Sequence, residues 1–372
     1  MKVLYDHQIF EAQKIGGISR YFAELIKHNP MSIFPVKYSE NVYLLSKRFK
    51  KYNITTPKKH YDNFIFPFNF KGKSRLFRYY SKIFNYKQPE LTIKYLEKSN
   101  FDMFHPTYYE PYFLNYLKGK LFVLTVYDMI HEVYNKVYID DIKTITNKKR
   151  LILAANKIIA ISESTRNDII KYFPEVENKI TVVYLGSSFK QLENNITKEN
   201  YILFTGIREG YKNFNALLQA VAPLLIKYDF NLICTGHPFN DEEKILINNL
   251  QIKDKISCIF ASENQLIELY SKATAFVFPS LYEGFGIPIL EAFASNCPAI
   301  LSNTSSFPEV GGNAAVYFDP NNIEDMRTQI ERVITSKTLQ NELIKKGKER
   351  VKQFSWEKCA KETMEVYKQF QK

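Results

Sequence analysis

At 372 residues with 45% hydrophobic side chains, the chain is too long for one ordinary core and too apolar for disorder, so two domains are expected. It opens MKVLYDHQIF and holds no apolar run of membrane-spanning length, so neither a signal peptide nor a transmembrane helix is expected. The formal net charge is +12, and the four cysteines, Cys234, Cys258, Cys297 and Cys359, are scattered without a CxxC pair, which reads as core thiols of a reducing compartment rather than a zinc site.

KVLYD (2–6) is the first predicted strand. A loop carrying Gly16 and Gly17 follows, then ISRYFAELIKH, where Ile18, Phe22, Leu25 and Ile26 recur at helical spacing. Strand, glycine-containing loop and helix form the opening unit of a doubly wound domain. Residues 41–100 hold 14 Lys and Arg against 3 Asp and Glu, together with 14 Phe and Tyr. Such a stretch suits nucleic acid or an anionic membrane surface, or else a solvated basic face over an aromatic core. Strands are expected at 101–106, 120–128, 157–162 and 179–186, with a helix in ESTRNDIIKYF capped by Ser162 or Ser164.

The polar, aperiodic SSFKQLENNITKEN reads as a linker, after which the alternation restarts. Strands are expected at 201–206 and 230–236, in ISCIFA and TAFVFPS, and at 298–302 and 315–318. Helices are expected at 213–228, in DEEKILINNLQ and in ENQLIELYSKA. Continuous apolar strands separated by helices predict parallel sheets covered on both faces. The reading is α/β: two doubly wound domains, 1–190 and 197–354, with a cleft between them.

The stretch FPSLYEGFGIPILEAFASNCPAI (278–300) places Glu283 and Glu291 either side of a tight glycine loop. The loop lies at the carboxyl end of a strand, where parallel sheets bind ligands, and Pro288 fits a first helical position. The N–H groups of Phe285, Gly286 and Ile287 at the helix start, and of Ile289 just inside it, suit a phosphate. Carboxylates repel phosphate, so Glu283 and Glu291 should address vicinal hydroxyls elsewhere on the ligand. Phosphates flanked by hydroxylated rings describe a nucleotide sugar. The plainer alternative is a surface Glu283 and a first-turn Glu291 stabilised by the helix dipole. TGIREGYKNFN adds Arg208 and Lys212 at a strand end of the same domain, where a diphosphate needs neutralising. No Asp-x-Asp occurs in the chain, so the site is read as metal-independent and without a cofactor, stabilising the leaving diphosphate with fixed cations and a helix terminus.

With these motifs in order, the sequence resembles glycosyltransferase family 4, a retaining family of GT-B fold. YILFTGIREGYKNF, FPSLYEGFGIPILEAFASNCPAI and SSFPEVGGNAAVYFDP carry the resemblance in the second half; DHQIFEAQKIGGISRYFAEL, FHPTYYEP, TVYDMIHE and IAISESTRNDI carry it in the first. Together they look like the mannosyltransferase-like branch that builds bacterial surface polysaccharides, lipopolysaccharide among them. The resemblance implies two Rossmann-like domains facing a central cleft, with the acceptor on 1–190, the donor on 197–354 and a closing helix (355–372) returning to the first domain. It implies that Glu283 contacts donor-sugar hydroxyls, Glu291 the ribose, and Arg208 and Lys212 the diphosphate. Backbone at Phe285, Gly286 and Ile287 would meet sugar and phosphate, Gly16 and Gly17 would close over the diphosphate, and backbone near Ala261 would meet the base. Glu283, Arg208 and Lys212 would carry catalysis by positioning and charge stabilisation.

Tyr127 stands before Asp128 where many relatives have histidine, which leaves Tyr127, Asp128 and His105 as acceptor-side candidates. The implied activity is transfer of a hexose, with mannose from GDP-mannose favoured, to a glycan or lipid-linked glycan. The implied location is cytoplasmic, at the inner face of the membrane, with peripheral contact to anionic lipid and no nucleic acid. Two rivals stand: a nucleic-acid-binding protein, supported by charge alone, and a nucleotide-sugar binder without activity. A nicotinamide dehydrogenase is disfavoured, because neither half has G-x-G-x-x-G after its first strand.

Overall fold

The computed structural model describes residues 1–372 except 61, 63, 64, 135–140, 194, 195, 209, 371 and 372, and only the backbone of 60 and 81–88. The chain divides into two compact units. Unit 1 comprises Met1–Ile161, Arg166–Val183 and Trp356–Lys372; unit 2 comprises Ser162–Thr165 and Tyr184–Ser355. Both are α/β layers built on a parallel sheet.

Unit 1 is built on β1 (Val3–Tyr5), β2 (Met103–His105), β3 (Leu121–Val126), β4 (Lys157–Ala160) and β5 (Ile180–Val182). They lie side by side in that order, all parallel. Beyond β1 a single parallel bridge, Leu4 to Ile33, continues the sheet. The chain therefore leaves β1 on one side and returns for β2 on the other. That reversal makes a crevice at the carboxyl end of β1. Helix Gly17–His28 buries Phe22, Leu25 and Ile26 as the spacing predicts, with Tyr21 buried beside them and Ile18 only half-buried. Helix Trp356–Lys368 packs against it, with Trp356, Ala360, Val366 and Tyr367 buried.

The sequence reading placed no element in the basic aromatic stretch, yet a helix runs from Lys73 to Lys98. Its apolar residues do not gather on one face and Pro89 lies inside it, so the usual periodic signal is missing. Among the described residues no helix is long and apolar enough to cross a membrane.

Unit 2 contains β6 (Glu199–Phe204), β7 (Asn231–Thr235), β8 (Ile256–Ile259), β9 (Ala273–Phe278), β10 (Ala299–Ser302) and β11 (Ala315–Phe318). The strand order is β11-β10-β9-β6-β7-β8, all parallel. After β8 the chain crosses back through helix Glu263–Lys272 to lay β9 on the far side of β6. The switch point thus falls between β6 and β9, and the loops that follow these two strands are neighbours. Phe204, Leu217, Val221, Leu232, Val277 and Ile300 are fully or almost fully buried in one core beneath them.

His105, at the end of β2, has no exposed surface. Its Nδ1 is 2.5 Å from the Tyr367 hydroxyl and its Nε2 2.9 Å from Thr125 Oγ1. Burial pulls its pKa from 6.5 down to about 3. The unfolded chain takes up a proton below pH 6.5 that the folded ring refuses until about pH 3. This contribution to stability is therefore complete above pH 6.5 and falls away between those values, by about 2 kcal/mol at pH 5. Burial shifts His7 in the same direction. Urea unfolding at pH 7.5 and pH 5 should show this loss in the parent and a smaller one in His105→Gln; equal losses would remove His105 from the account.

Candidate active site

The loops after β6 and β9 are joined at the switch point of unit 2. The Leu281 N–H donates to the Tyr211 carbonyl at 2.7 Å, which extends the contact beyond the strands. Lys212 Nζ lies 2.5 Å from Glu283 Oε1, with the two side chains 12% and 15% exposed. Ser280 Oγ donates to the same carboxylate oxygen at 2.9 Å. From the segment after β10, Ser305 Oγ accepts the Glu283 N–H and Ser306 Oγ donates to the carbonyls of Glu283 and Phe285, each at 2.9 Å. The carboxylate-bearing loop is thus fixed through side chain and backbone alike. A pair this shielded from water interacts several times more strongly than an exposed one.

Gly286 begins helix Ile287–Ala294 with φ 98°, a left-handed conformation that favours glycine. A Cβ there would also sit 2.9 Å from Ile289 Cδ1. Among the described residues nothing accepts the N–H groups of Phe285, Gly286 and Ile287. Ile289 differs from expectation: its N–H donates to the Gly286 carbonyl at 2.9 Å, because the tight first turn closes an i to i+3 bond. Three donors, not four, are left without an acceptor among the described residues.

Glu291 sits in the second turn of this helix rather than the first and is 8% exposed. A helix dipole acts mainly within the first turn, so the plain dipole explanation of Glu291 fails. Instead the carboxylate neighbours Tyr270, whose hydroxyl is pushed well above its usual pKa by burial and then by the charge of Glu291. Tyr270 in turn meets Thr205 Oγ1, just past β6, at 3.0 Å. Glu291 is thus linked through Tyr270 to the end of β6, the strand whose loop carries Lys212.

Arg208 is placed differently from the open cation that the sequence suggests. Its Nε is 2.8 Å from Glu243 Oε1, both side chains being 6% exposed. Its Nη2 donates to the carbonyls of His237 and Pro238 at 2.7 and 3.0 Å. Phe239 lies under the guanidinium, 4.9 Å from centroid to Cζ. A cation so buried requires a counter-charge, and Glu243 supplies it. Sequence reasoning missed Glu243 because Asn240 and Glu243 form a capping box, which reads only as a helix start. Ala261 follows β8 and is half-buried.

The remaining candidates lie in unit 1. Gly16 is extended (φ 170°), and a Cβ there would stand 2.4 Å from Gln13 Oε1; Gly17 opens the next helix. His105, expected on the acceptor side, is sealed in the core with both ring nitrogens engaged, so an acceptor cannot reach it. Tyr127 is buried too, and its hydroxyl donates to the Thr107 carbonyl at 3.3 Å. Asp128 is half-buried at the loop after β3, its Oδ1 accepting from the Ile130 N–H at 3.1 Å. Among the described residues no group of three or more His, Cys, Asp or Glu is placed to hold a metal.

Two family profiles match the chain: Glycosyl transferases group 1 over residues 187–350, and Glycosyltransferase Family 4 over residues 52–188. The O-antigen chain mannosyltransferase B of Escherichia coli is 30% identical over 233 residues, 58% of this chain and 61% of that protein. The O-antigen chain mannosyltransferase RfbU of Salmonella typhimurium is 29% identical over 211 residues, 56% of this chain and 60% of that protein. The match spans about three fifths of the length of these relatives. The solved glycosyltransferase from Rickettsia africae ESF-5 has a TM-score of 0.67 at 21% identity, covering 100% of this chain and 98% of that one. Anabaena Alr3699/HepE, solved in complex with UDP and glucose, has a TM-score of 0.71 at 14% identity, covering 98% and 99%. At these identities the solved structures speak to fold alone.

The shielded Lys212–Glu283 pair makes a quantitative expectation. In a double-mutant cycle of Lys212→Ala and Glu283→Ala, denaturant unfolding should give a coupling of about 1–3 kcal/mol. A coupling below about 0.5 kcal/mol would mean that the pair is no stronger than an ordinary surface one.

Proposed function

From a chain that belongs to glycosyltransferase family 4, with a group 1 glycosyl transferase domain in its second half, we propose an enzyme that moves a hexose from a nucleotide diphosphate sugar to a glycan hydroxyl in polysaccharide synthesis. The observation that carries this is the switch-point constellation of unit 2. A lysine paired to one glutamate, three N–H groups without an acceptor among the described residues and a second, buried glutamate stand within two adjoining loops and the first two turns of one helix.

The diphosphate would draw Lys212 away from Glu283, since two phosphates offer more charge than one carboxylate. The N–H groups of Phe285, Gly286 and Ile287 would share the phosphate oxygens. Glu283, released from Lys212, would accept hydroxyls of the donor sugar, and Glu291 those of the ribose. Backbone near Ala261 would meet the base. Arg208, at the end of β6 beside Glu243, is the second cation on which leaving charge would fall. In transfer, the bond between the anomeric carbon and the phosphate oxygen breaks as a bond to the acceptor oxygen forms. For retention the two events share one face, and the departing phosphate oxygen takes the acceptor proton. Fixed cations and dipoles do the work here, so the proposal includes no metal or cofactor.

GDP-mannose is the proposed donor, because the curated relatives above are mannosyltransferases. The proposed acceptor is a glycan or lipid-linked glycan held by unit 1. Membrane contact belongs to the same proposal. Exposed Phe68, Leu76 and Tyr79 are interleaved with exposed Lys71, Arg75 and Arg78, a pattern suited to the inner face of an anionic bilayer.

Thermal stabilisation by GDP-mannose, GDP-fucose, UDP-glucose, UDP-N-acetylglucosamine and dTDP-rhamnose should single out one donor. At about 100 times its Kd that donor adds about 2.7 kcal/mol, and Glu291→Ala should abolish the shift. Lys212→Ala should lower kcat by about two orders of magnitude. A folded protein stabilised by none of the five would sink this reading. Separately, flotation with vesicles containing anionic lipid should show binding at about 0.05 M salt and its loss at about 0.5 M; absence of binding at low salt would remove the membrane from the proposal.

A further inference from the structure

Unit 1 contains an ion pair that the chemistry above does not use. Lys148, in helix Ile142–Ala154, has no exposed surface, and its Nζ is 2.8 Å from Oε2 of Glu132, whose side chain is 5% exposed. Glu132 ends the segment Tyr127-Asp128-Met129-Ile130-His131-Glu132 that follows β3. The same ammonium donates to the Asp128 carbonyl at 3.2 Å and lies 5.4 Å above the Tyr109 ring. Tyr109 in turn accepts the Tyr127 N–H at 3.2 Å, and the Tyr172 hydroxyl donates to the Glu132 carbonyl at 3.2 Å. One lysine thus ties both ends of the loop together.

As a device for stability this pair is poorly chosen. Removing both charges from water is costly, and well-packed apolar side chains of similar volume usually do as well or better. Among the described residues Glu132 Oε1 has no hydrogen-bond partner, which adds to the cost. What an apolar pair cannot do is hold the Asp128 carbonyl, and with it the direction of the Asp128 side chain. That side chain is half-buried at the carboxyl end of β3, where a parallel sheet receives its ligand. Its Oδ1 is held by the Ile130 N–H, and among the described residues no donor takes Oδ2.

We propose that Lys148 and Glu132 are positioning residues for the acceptor, holding the loop after β3 so that Asp128 accepts a hydroxyl of an incoming glycoside. The proposal rests on the reading of unit 1 as the acceptor-binding unit.

The test uses the full chain, the nucleotide sugar that stabilises it, and octyl α-mannoside as the acceptor probe. Lys148→Met combined with Glu132→Leu removes both charges and should melt close to the parent. Stabilisation by the donor should persist, because its site lies in unit 2. The KM for the glycoside should rise at least tenfold while the KM for the donor stays unchanged. Asp128→Asn should raise the glycoside KM similarly, and adding it to the pair variant should give little further loss. A purely structural pair predicts neither the acceptor-specific split nor that non-additivity. Should the apolar pair fail to fold, Lys148→Met with Glu132→Gln keeps the shape of the carboxylate and carries the same expectations. Parental use of the glycoside by a folded pair variant overturns the proposal. A parent that binds donor but ignores the glycoside overturns it too, leaving the donor reading intact. A parent that binds no nucleotide sugar takes down the functional reading and this proposal together.

Discussion

Unit 2 is organised around the pairing of Lys212 with Glu283. The pair exists because β6 and β9 are adjacent although β7 and β8 separate them in the chain. Parallel strands all end on the same side, so their following loops collect there and must satisfy their own polar groups. Here they do so through Leu281 to Tyr211 along the backbone and Lys212 to Glu283 between side chains. Ser280, Ser305 and Ser306 complete the set. With so many constraints on one loop, Glu283 has little freedom, and the N–H groups that follow it are aimed by the helix they begin. Rigidity of this kind is what stabilisation of developing charge requires, because dipoles already in place need not reorganise.

Much of this was legible in the sequence, and the reasons differ from residue to residue. Gly286 announces itself because no other residue combines a left-handed backbone with such close contact to Ile289. The strands of unit 2 announce themselves as continuous apolar runs, since helices cover both faces. The partner of Arg208 was not legible. Pairing with Glu243 joins residues thirty-five apart through the order of β6 and β7, and linear spacing carries no such information. The loss of Ile289 as an anion donor was equally hidden, because it depends on how tightly one turn is wound. Helix Lys73–Lys98 escaped for a different reason: its apolar side chains lack the stripe by which a core-facing helix is recognised.

His105 marks the limit of reasoning from residue type. A histidine at a strand end beside a crevice looks functional, yet the same strand end can turn its side chain inward. Here the ring lies between Tyr367 and Thr125, and Tyr5 and Phe22 flank it. Each nitrogen meets a hydroxyl, so the neutral ring is fully satisfied and protonation would strip it of its acceptor. Lys148 and Glu132 present the opposite case. They are nearly as buried, but among the described residues one carboxylate oxygen has no partner, and their bonds converge on a loop rather than on the core. The distinction between a satisfied buried group and an unsatisfied one separates packing from function better than burial does.

On the proposed reading, Glu283 and Lys212 also account for selectivity. A bare diphosphate that captured Lys212 would leave the Glu283 carboxylate largely shielded from water with Ser280 as its one remaining side-chain donor among the described residues. That penalty opposes binding. A diphosphate that carries a sugar brings hydroxyl donors to the place where Glu283 is released, and the penalty disappears. At the other end of the ligand, Glu291, buried beside Tyr270, is the proposed acceptor for hydroxyls of the ribose. A site of this design disfavours phosphate alone not by excluding it but by leaving Glu283 short of donors, and it favours the ligand that brings hydroxyls to that carboxylate.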